Sequence, residues 1–482
     1  MILDAFPFSK SENVGPSNLA QRALRAVVNL LEKKLGVSVA YDLQNIPYGR
    51  GDLMEEWRFA GLLKEKGIIH SFSQIPRLPD EPPMKTWAAI CADPTSHLVA
   101  GASPESDRQA LRATLAEALE RYIWFTERDY FSDPIRATVE QIGKRRPFVA
   151  PERFIGFSSE QRENRPKREL RSGALYLWIK GTSLVTERPT YVPAQLVSGV
   201  ERVRFQNGSE EPSIRHGNTI GLATWPTQAG ARLAGALETI EREAFMIAWL
   251  NQLTLPRIDL DSAGEKDETL KKFIASCRQY RLKPHAVQLL TDAPTHAVCA
   301  IIEDESDVEP RFTVGLKAHR SLSFAIQKAM TEALRARQGY RHYIANGNRW
   351  DPKIPVEDVG HRDRLYYWGL PEHAKKLEFL IAGKEQMVPG QEWDNDTPEQ
   401  QLQRVIAWCR SKGFECVAVS LGNSRRNPTS LFIEMVLIPE LQPTYLLEKY
   451  RAFGGNRWRE IPKQFGYPVR EKPFSDTPHP FS

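Results

Sequence analysis

The sequence predicts a mixed α/β (α+β) fold, because long helical patterns alternate with short strand patterns along most of the chain. Three long helices are predicted at 104–126, 227–250 and 321–343, from apolar residues at helical spacing and from capping residues at their starts. The segments between them are rich in β-branched and aromatic residues and are bounded by turn-forming residues. No fixed-period repeat or linker interrupts this pattern, so residues 66–482 are predicted to form one domain.

The elements follow one another in a consistent order. Residues 1–65 are predicted to be a helical extension, in which the apolar residues at helical spacing are Leu24, Val27, Val28, Leu31 and Leu35. The strands predicted after it are GIIHSF, TWAAIC, LYLWIKGTSLV, PTYVPAQLV, THAVCAIIED, RFTVGLKAH, CVAVSL and LFIEMVLIP. A further helix is predicted near residues 399–412.

The composition is that of an ordinary globular protein, with 41% hydrophobic and 26% charged residues. The 65 basic and 60 acidic residues nearly balance, which argues against a nucleic-acid partner, and no apolar run is long enough to indicate a membrane. Five scattered cysteines without a CxxC pair argue against a disulfide framework or a zinc site. Because the N-terminus is also unlike a signal peptide, we expect a cytoplasmic protein.

The first long helix carries Glu117 and Glu120, which are three residues apart and therefore on one face. Ser103 is the predicted N-cap and Pro104 the first helical residue. The two glutamates point away from the apolar stripe of this helix. Taken alone, that is the pattern of a solvent-exposed face.

The second long helix places carboxylates where a solvated face is not expected. Thr227 is its predicted N-cap, and Glu241 falls beside an apolar stripe with Glu238 next to it. Like charges beside apolar side chains carry a desolvation cost that a cation must offset. Lysine, arginine or a metal ion would all serve, so the pattern indicates a site without identifying it.

The third long helix carries Glu332 at the edge of its apolar face, four residues after Lys328, a spacing that also fits a plain ion pair. The first two helices share a Glu-x-x-Glu-Arg pattern, EALER at 117–121 and ETIER at 238–242. Carboxylates from separate helices suit Mg²⁺, which shares its oxygen ligands with nucleotide phosphates. No GxxxxGK[ST] loop is present, so an ATP site must be built differently.

Several segments of residues 67–482 resemble the YcaO family, in the family's order. They are GIIHSFSQIPRLPDEPP, ALRATLAEALERY, HGNTIGLATWPTQAGARLAGALETIEREAF, AIQKAMTEALRARQ, and finally LIPELQPTYLLEKY and RWREIPKQFGYP, which fit later strands of the family. The tail DTPHPFS is similar to the proline-rich C-terminus of azoline-forming members. The resemblance implies a YcaO-type fold with mixed sheets, in which long glutamate-bearing helices surround an ATP and Mg²⁺ site.

The resemblance also implies which residues bind the cofactors ATP and Mg²⁺. The metal ligands correspond to Glu117, Glu120, Glu238, Glu241 and Glu332. The same glutamates would contact the nucleotide, together with Asn218 in its pocket, Arg242 on phosphate and Lys328. In the tail, Pro478, His479 and Pro480 are expected to order the segment at the active site.

Three departures from the family pattern bear on nucleotide contact. Ala113 replaces the serine of the first motif, with Thr114 beside it, and Lys328 replaces the glutamine of the third. The segment GASPES before the first helix lacks the usual lysine. All five carboxylates are nevertheless present, which favours an active enzyme.

The implied reaction is attack on a peptide amide carbonyl, followed by ATP-dependent phosphorylation of its oxygen and loss of phosphate. Azoline-forming cyclodehydration of Cys, Ser or Thr in a ribosomally made precursor peptide is the first interpretation, because of the PHPF tail. Peptide thioamidation is the second. A non-catalytic nucleotide-binding accessory protein, as for a ribosomal protein methylthiotransferase, is a third, whereas the motif order disfavours an ATP-grasp ligase.

The partners follow from this interpretation. Besides the precursor peptide, we expect a separate leader-binding or E1-like protein, because residues 1–65 show no leader-binding winged helix. A homodimer is also expected.

Overall fold

The structure is a computed structural model, and it describes residues 53–93, 96–126, 133–163, 170, 173–199, 211–306, 308–422 and 426–481, without the side chains of residues 361 and 362. The helical pattern predicted from Leu24 to Leu35 lies outside these residues, as does most of the predicted extension.

The described residues form fourteen strands and twelve helices. The strands are β1 Ile69–Gln74, β2 Lys85–Cys91, β3 Leu98–Ser103, β4 Ile135–Ala137, β5 Tyr176–Ser183, β6 Pro189–Pro193, β7 Leu222–Trp225, β8 Arg257–Ile258, β9 Leu282–Gln288, β10 His296–Asp304, β11 Phe312–His319, β12 Glu385–Gln386, β13 Val417–Ser420 and β14 Phe432–Leu437. The helices are α1 Met54–Glu65, α2 Asp107–Thr126, α3 Val139–Gly143, α4 Ser159–Arg162, α5 Gln228–Asn251, α6 Leu260–Glu265, α7 Glu268–Gln279, α8 Leu322–Ala345, α9 His361–Gly369, α10 Pro371–Ala374, α11 Pro398–Lys412 and α12 Arg457–Gln464.

The strands form three sheets, and the predicted mixed fold class is confirmed. One sheet has the order β1-β2-β3, and a second has the order β11-β10-β9-β8-β12. The third has the order β4-β5-β13-β14-β7, with β6 paired to β5. Strands β8 and β12 pair in parallel, and the other strand pairs of the described residues are antiparallel.

The three long helices link these sheets. Helix α2 packs on β2 and β3 of the first sheet and on β7 of the third. Helix α5 crosses the centre of the molecule, contacting β7 and β14 on one side and β10 and β11 on the other. Helix α8 lies on β10 and β11. Each sheet therefore contributes to the surroundings of the glutamate-bearing helices.

Capping residues mark the starts of the long helices, and the predicted start of α2 is corrected. The hydroxyl of Thr227 accepts a hydrogen bond from the Gly230 amide, so the predicted cap of α5 is confirmed. Helix α2 starts at Asp107 rather than at Pro104, because Ser103 is still the last residue of β3. The Oγ of Ser106 accepts from the Gln109 amide and caps α2 instead.

The segment RWREIPKQFGYP was predicted to be a strand, and this prediction is wrong. Residues Arg457–Gln464 form helix α12, although Pro462 lies inside it. Trp458 and Ile461 are both buried and are three residues apart, which is helical and not strand spacing. The segment LIPELQPTYLLEKY was also expected to fit a later strand, but only its first residue, Leu437, belongs to a strand, at the end of β14.

A close approach of two glycines fixes helix α5 against β7. Gly221, which precedes β7, has a φ of +89°, a conformation that L side chains rarely adopt. A Cβ atom added to Gly235 of α5 would lie 2.3 Å from the carbonyl oxygen of Gly221. The contact therefore requires a glycine in the helix, and it holds the start of β7 beside the glutamates of α5.

The described part of the predicted extension is helix α1. Ala60 and Leu63 are buried in the same hydrophobic cluster as α2 and the first sheet. In the part of the chain that the structure describes, none of the helices combines the length and the apolarity that spanning a membrane requires. All five cysteines are buried free thiols.

Candidate active site

The three long helices converge on one cavity of about 2920 Å³. Its lining includes most of the residues that the sequence analysis singled out. Those residues are Glu117, Glu120, Glu238, Glu241, Arg242, Lys328, Glu332 and His479. Asn218, Pro478 and Pro480 lie outside the lining.

On α2, the two glutamates share one arginine. Arg121 lies 3.5 Å from Glu117, and its charge also acts on Glu120 and on Glu238 of α5. Glu120 is buried, so the expectation of a solvent-exposed face is wrong for this residue. Burial raises the pKa of Glu120 to about 8, with Glu117 and Glu238 adding to the rise and Arg121 opposing it.

On α5, Glu238 and Glu241 share Arg242. The guanidinium lies 3.2 Å from Glu238 Oε1 and 3.1 Å from Glu241 Oε1. Burial lowers the pKa of Arg242, but the carboxylates of Glu241, Glu238 and Glu332 outweigh it, and the pKa is raised. Backbone amides hold the two carboxylates in place, because Gly221 N donates to Glu238 at 2.9 Å and Ala318 N donates to Glu241 at 2.8 Å.

On α8, Glu332 accepts a hydrogen bond from the Leu316 amide at 2.7 Å and lies 3.6 Å from Arg335. The ion pair with Lys328 that the spacing allowed does not form, and the Lys328 ammonium lies 5.4 Å from the ring of Phe324. Burial raises the pKa of Glu332, and the nearby Glu241 raises it further, whereas Arg242 and Arg335 lower it.

These contacts join five carboxylates from three helices into one electrostatic chain. They do not meet at a single point, since no three His, Cys, Asp or Glu side chains of the described residues lie close enough to hold a metal ion. Mg²⁺ usually takes one or two protein carboxylates and completes its shell with water and phosphate oxygens. The donor set therefore fits a magnesium–nucleotide complex and does not fit a metal site made by protein alone.

Arg242 has unused donor capacity that agrees with this fit. Its Nη1 is buried and, despite the 3.1 Å ion contact with Glu241, makes no hydrogen bond of acceptable geometry to any described residue. A buried guanidinium N–H without an aligned acceptor is costly. A phosphate oxygen in the cavity is an acceptor of the required kind.

One departure in the motifs, Ala113 in place of a serine, has a structural consequence. Ala113 lines the cavity, where the family has a hydroxyl. Thr114 cannot replace that hydroxyl, because its Oγ1 is buried on the other side of α2. There it accepts from Gly101 N at 2.9 Å and lies within hydrogen-bonding distance of the carbonyl oxygens of Ala110 and Trp87.

Asn218 supports the cavity wall from behind. Its side chain donates to the carbonyl oxygen of Thr444 at 3.3 Å and accepts from the Ile220 amide at 3.2 Å. Both Thr444 and Ile220 line the cavity. In this geometry Asn218 shapes the pocket without reaching into it.

The C-terminal tail is packed against the cavity. His479 is buried, and its Nε2 lies 3.0 Å from the carbonyl oxygen of Tyr445, which can only accept a hydrogen bond. Pro478 is buried and Pro480 is half-buried. The ring of Phe481 lines the cavity and lies 3.9 Å from the guanidinium carbon of Arg242.

Several cavity residues were missed by reasoning from the sequence. They are Arg121, Thr224, Lys317, Arg320, Arg335 and Phe481. A signal existed for Arg121, which ends the first Glu-x-x-Glu-Arg pattern as Arg242 ends the second. Thr224, whose hydroxyl lies 3.4 Å from Glu120, and Lys317, 3.7 Å from Glu241, come from strands and carry no such signal.

Taken together, the sheets, the three helices and the cavity are those of a protein that binds a magnesium–nucleotide complex. A family model described as YcaO cyclodehydratase, ATP- and Mg²⁺-binding, matches residues 103–442. The chain belongs to the YcaO family, and its cofactors are ATP and Mg²⁺.

Solved structures share this fold. A heterocyclase in complex with substrate and cofactor has a TM-score of 0.68 and 20% identity, covering 88% of this chain and 57% of that one. YcaO from Methanopyrus kandleri, bound with AMPPCP and Mg²⁺, has a TM-score of 0.57 and 15% identity, covering 88% of this chain and 95% of that one. For the Escherichia coli microcin synthetase McbBCD complex the TM-score is 0.54 at 14% identity, covering 77% and 88%.

A curated relative is an uncharacterized protein of Methanothermobacter thermautotrophicus. It is 25% identical over 167 residues, which are 34% of this chain and 42% of that protein. The match thus spans less than half of the relative.

Proposed function

We propose that this chain is an ATP-dependent cyclodehydratase that forms azolines from Cys, Ser or Thr in a ribosomally made precursor peptide. The observation that carries the proposal is the convergence of five carboxylates from α2, α5 and α8 on one cavity into which the tail extends. The family assignment supports the reaction class. A leader-binding or E1-like partner and a homodimer remain predictions.

The glutamates of the cavity would hold the magnesium–nucleotide complex. Bound ATP supplies the phosphoryl group that turns a poor leaving group, the amide oxygen, into a good one. The backbone amides of Gly221, Leu316 and Ala318 fix the carboxylates of Glu238, Glu332 and Glu241. This preorganisation lets the site stabilise charge without rearranging its own dipoles.

Arg242 is the side chain best placed to bind phosphate. It lies between Glu238 and Glu241, it is largely buried, and its Nη1 still lacks an aligned acceptor among the described residues. A guanidinium in this setting would bind a phosphate oxygen and stabilise the charge that develops there.

We assign the tail a positioning role. The Nε2–H of His479 donates to the Tyr445 carbonyl oxygen, and the His479 amide lies 3.3 Å from Glu448 Oε1. These bonds anchor the tail, with Pro478 and Pro480 limiting its freedom on either side of His479. The anchor aims Phe481 at Arg242, so the tail acts on the nucleotide site through that arginine.

The test is incubation of the purified chain with ATP, Mg²⁺ and candidate precursor peptides, read by peptide mass. Loss of one water per modified residue supports cyclodehydration. Replacement of an oxygen by sulfur, seen only with a sulfide donor, supports thioamidation and contradicts our first choice. An unmodified peptide in the presence of every required partner contradicts both and favours an accessory protein.

The variant Glu241→Gln tests the site within this assay. Gln keeps the size of Glu241 and can still accept from the Ala318 amide, so the fold is expected to remain intact. Turnover should fall by about a hundredfold or more, because a metal-binding charge is lost. The matched control is Glu268→Gln on the surface of α7, which lies 3.5 Å from Lys272 and should leave turnover unchanged. Full activity of Glu241→Gln would refute the site.

A further inference from the structure

Three of the basic side chains that line the cavity outside the Glu-x-x-Glu-Arg motifs belong to β11, the turn after it and the first half of α8. They are Lys317, near the end of β11, Arg320, in the turn that follows, and Lys328, in the second turn of α8. We refer to them as the basic cluster.

The basic cluster is close enough for its charges to interact. Burial lowers the pKa of Lys328, the charge of Glu105 opposes this, and Lys317 lowers the pKa further. His319, between Lys317 and Arg320, has its pKa lowered to about 4 by burial and by these two cations. Cations grouped in a partly desolvated wall of the cavity favour the binding of an anion there.

The described residues neutralise the cluster only in part, because the charge of Glu105 acts on Lys328 without forming an ion pair with it. Lys317 lies 3.7 Å from Glu241, whereas neither Arg320 nor Lys328 has a carboxylate within 4.0 Å among the described residues. Arg320 Nη1 instead lies 3.3 Å from the ring nitrogen of His319, and Lys328 faces the Phe324 ring. Arg121, Arg242 and Arg335, by contrast, each lie within 4.0 Å of a glutamate of the carboxylate chain.

Charge balance indicates which anion fits. The five glutamates of the carboxylate chain outnumber the three arginines that pair with them, so this half of the site has an excess of acidic groups that metal cations can offset. The basic cluster joins it through the Lys317–Glu241 contact. A nucleotide triphosphate that reaches from the magnesium-binding carboxylates to the basic cluster would satisfy both halves.

We propose that Lys317, Arg320 and Lys328 bind the outer phosphates of the nucleotide, and that this cluster replaces the glutamine and the lysine missing from the sequence motifs. The glutamine position is Lys328 itself, and the missing lysine would have preceded α2. The inference rests on ATP as cofactor and does not depend on which peptide reaction the chain performs.

The test is calorimetric binding of two probes in the presence of Mg²⁺, AMPPCP with three phosphates and AMP with one. Lys328→Gln, which restores the family residue, should weaken AMPPCP binding by about tenfold or more, the size of a lost charge-assisted hydrogen bond. Binding of AMP should change by less than about twofold, because AMP lacks the outer phosphates. Arg320→Gln should behave in the same way.

Controls separate this effect from general changes. Lys272→Gln on the exposed face of α7 removes the same charge far from the cavity and should bind both probes as the wild type does. Unchanged AMPPCP affinity in both cluster variants would overturn the proposal, as would equal loss of AMPPCP and AMP. Weaker binding of the precursor peptide with unchanged AMPPCP affinity would assign the cluster to a peptide carboxylate and also overturn it. If the wild type binds AMPPCP but leaves peptides unmodified, that result contradicts only the proposed function.

Discussion

At the scale of single residues, the site keeps buried carboxylates in place with backbone amides. Glu238, Glu241 and Glu332 each accept from a main-chain N–H supplied by another element. Such donors do not move when the substrate binds, and they fix the oxygen that they contact. The remaining oxygen of each carboxylate is then available for arginine or metal.

This residue-level arrangement shows what the sequence could and could not predict. The Glu-x-x-Glu pairs predicted shared faces, and the apolar neighbours of Glu241 predicted the need for a cation. The amide of Ala318 could not be predicted, because it is 77 residues from Glu241 in sequence and every residue except proline carries the same N–H.

His319 provides a residue-scale test of the electrostatics at the cavity. Its pKa is lowered from 6.5 to about 4, first by burial and then by Arg320 and Lys317, so the folded state resists protonation of the ring. The stabilising effect of the neutral ring is complete above pH 6.5 and is lost as the pH falls toward 4.

The variant His319→Gln should therefore lose less stability on acidification than the wild type. The expected difference between the two is about 2 kcal/mol near pH 5 relative to neutral pH. Denaturant unfolding of both proteins without nucleotide, at a series of pH values, measures it. Parallel pH profiles for the two proteins would show that the ring is protonated as easily in the folded as in the unfolded state.

At the scale of elements, local patterns predicted most of the fold and failed where packing decides. The strand patterns THAVCAIIED and RFTVGLKAH correspond to β10 and β11, because their β-branched and apolar runs are buried, β10 inside its sheet and β11 at the sheet edge beneath α5 and α8. Helix α12 was missed because the resemblance assigned RWREIPKQFGYP to a strand, whereas burial of Trp458 and Ile461 at helical spacing stabilises a helix. The start of α2 was placed too early because β3 extends to Ser103.

Two glycines inside helices give a prediction at this scale. Intrinsic propensity says that Ala in place of Gly stabilises any helix interior by about 1 kcal/mol. Gly61 in α1 has no atom within 4 Å of an added Cβ, so Gly61→Ala should be stabilising by that amount or less. Gly235→Ala in α5 should be destabilising by about 2 kcal/mol or more, because its Cβ would lie 2.3 Å from the Gly221 carbonyl oxygen.

Chemical denaturation of both variants measures whether their free energies of unfolding change in opposite directions. Both substitutions remove the same backbone freedom from the unfolded state, so each serves as the control for the other. If Gly235→Ala were as stable as Gly61→Ala, the approach of α5 to β7 would be looser than the structure shows. The placement of Glu238 beside the Gly221 amide would then be in doubt as well.

At the scale of the whole molecule, a buried ion pair ties the end of the chain to the cavity. Glu448 is bound by Arg364 at 2.9 Å and accepts from the His479 amide. Arg364 also donates to the Tyr445 carbonyl oxygen, the group that binds the His479 ring. The position of the tail beside the cavity was predicted only from the family resemblance. The sequence DTPHPFS alone does not indicate a contact with Glu448.

The tail presents the ring of Phe481 to the guanidinium of Arg242. Stacking of the ring on the guanidinium restricts Arg242 to one orientation. Phe481→Ala should therefore weaken AMPPCP binding by about tenfold while changing the melting temperature little. Calorimetry and thermal unfolding of the variant in the presence of Mg²⁺ measure both quantities. The control is Phe465→Ala, an exposed ring that follows α12, which should bind AMPPCP normally.

The direction of the change distinguishes two roles of the tail. If the Phe481 ring orients Arg242 for contact with the nucleotide, removing the ring must weaken AMPPCP binding. If the ring instead occupies space that the nucleotide needs, it opposes nucleotide binding. Phe481→Ala would then bind AMPPCP more tightly than the wild type. Because Arg242 is held by Glu238 and Glu241 in either case, the two roles differ only in whether the ring and a phosphate can contact the guanidinium together. Tighter binding would mean that they cannot, and the positioning role proposed for the tail would fail.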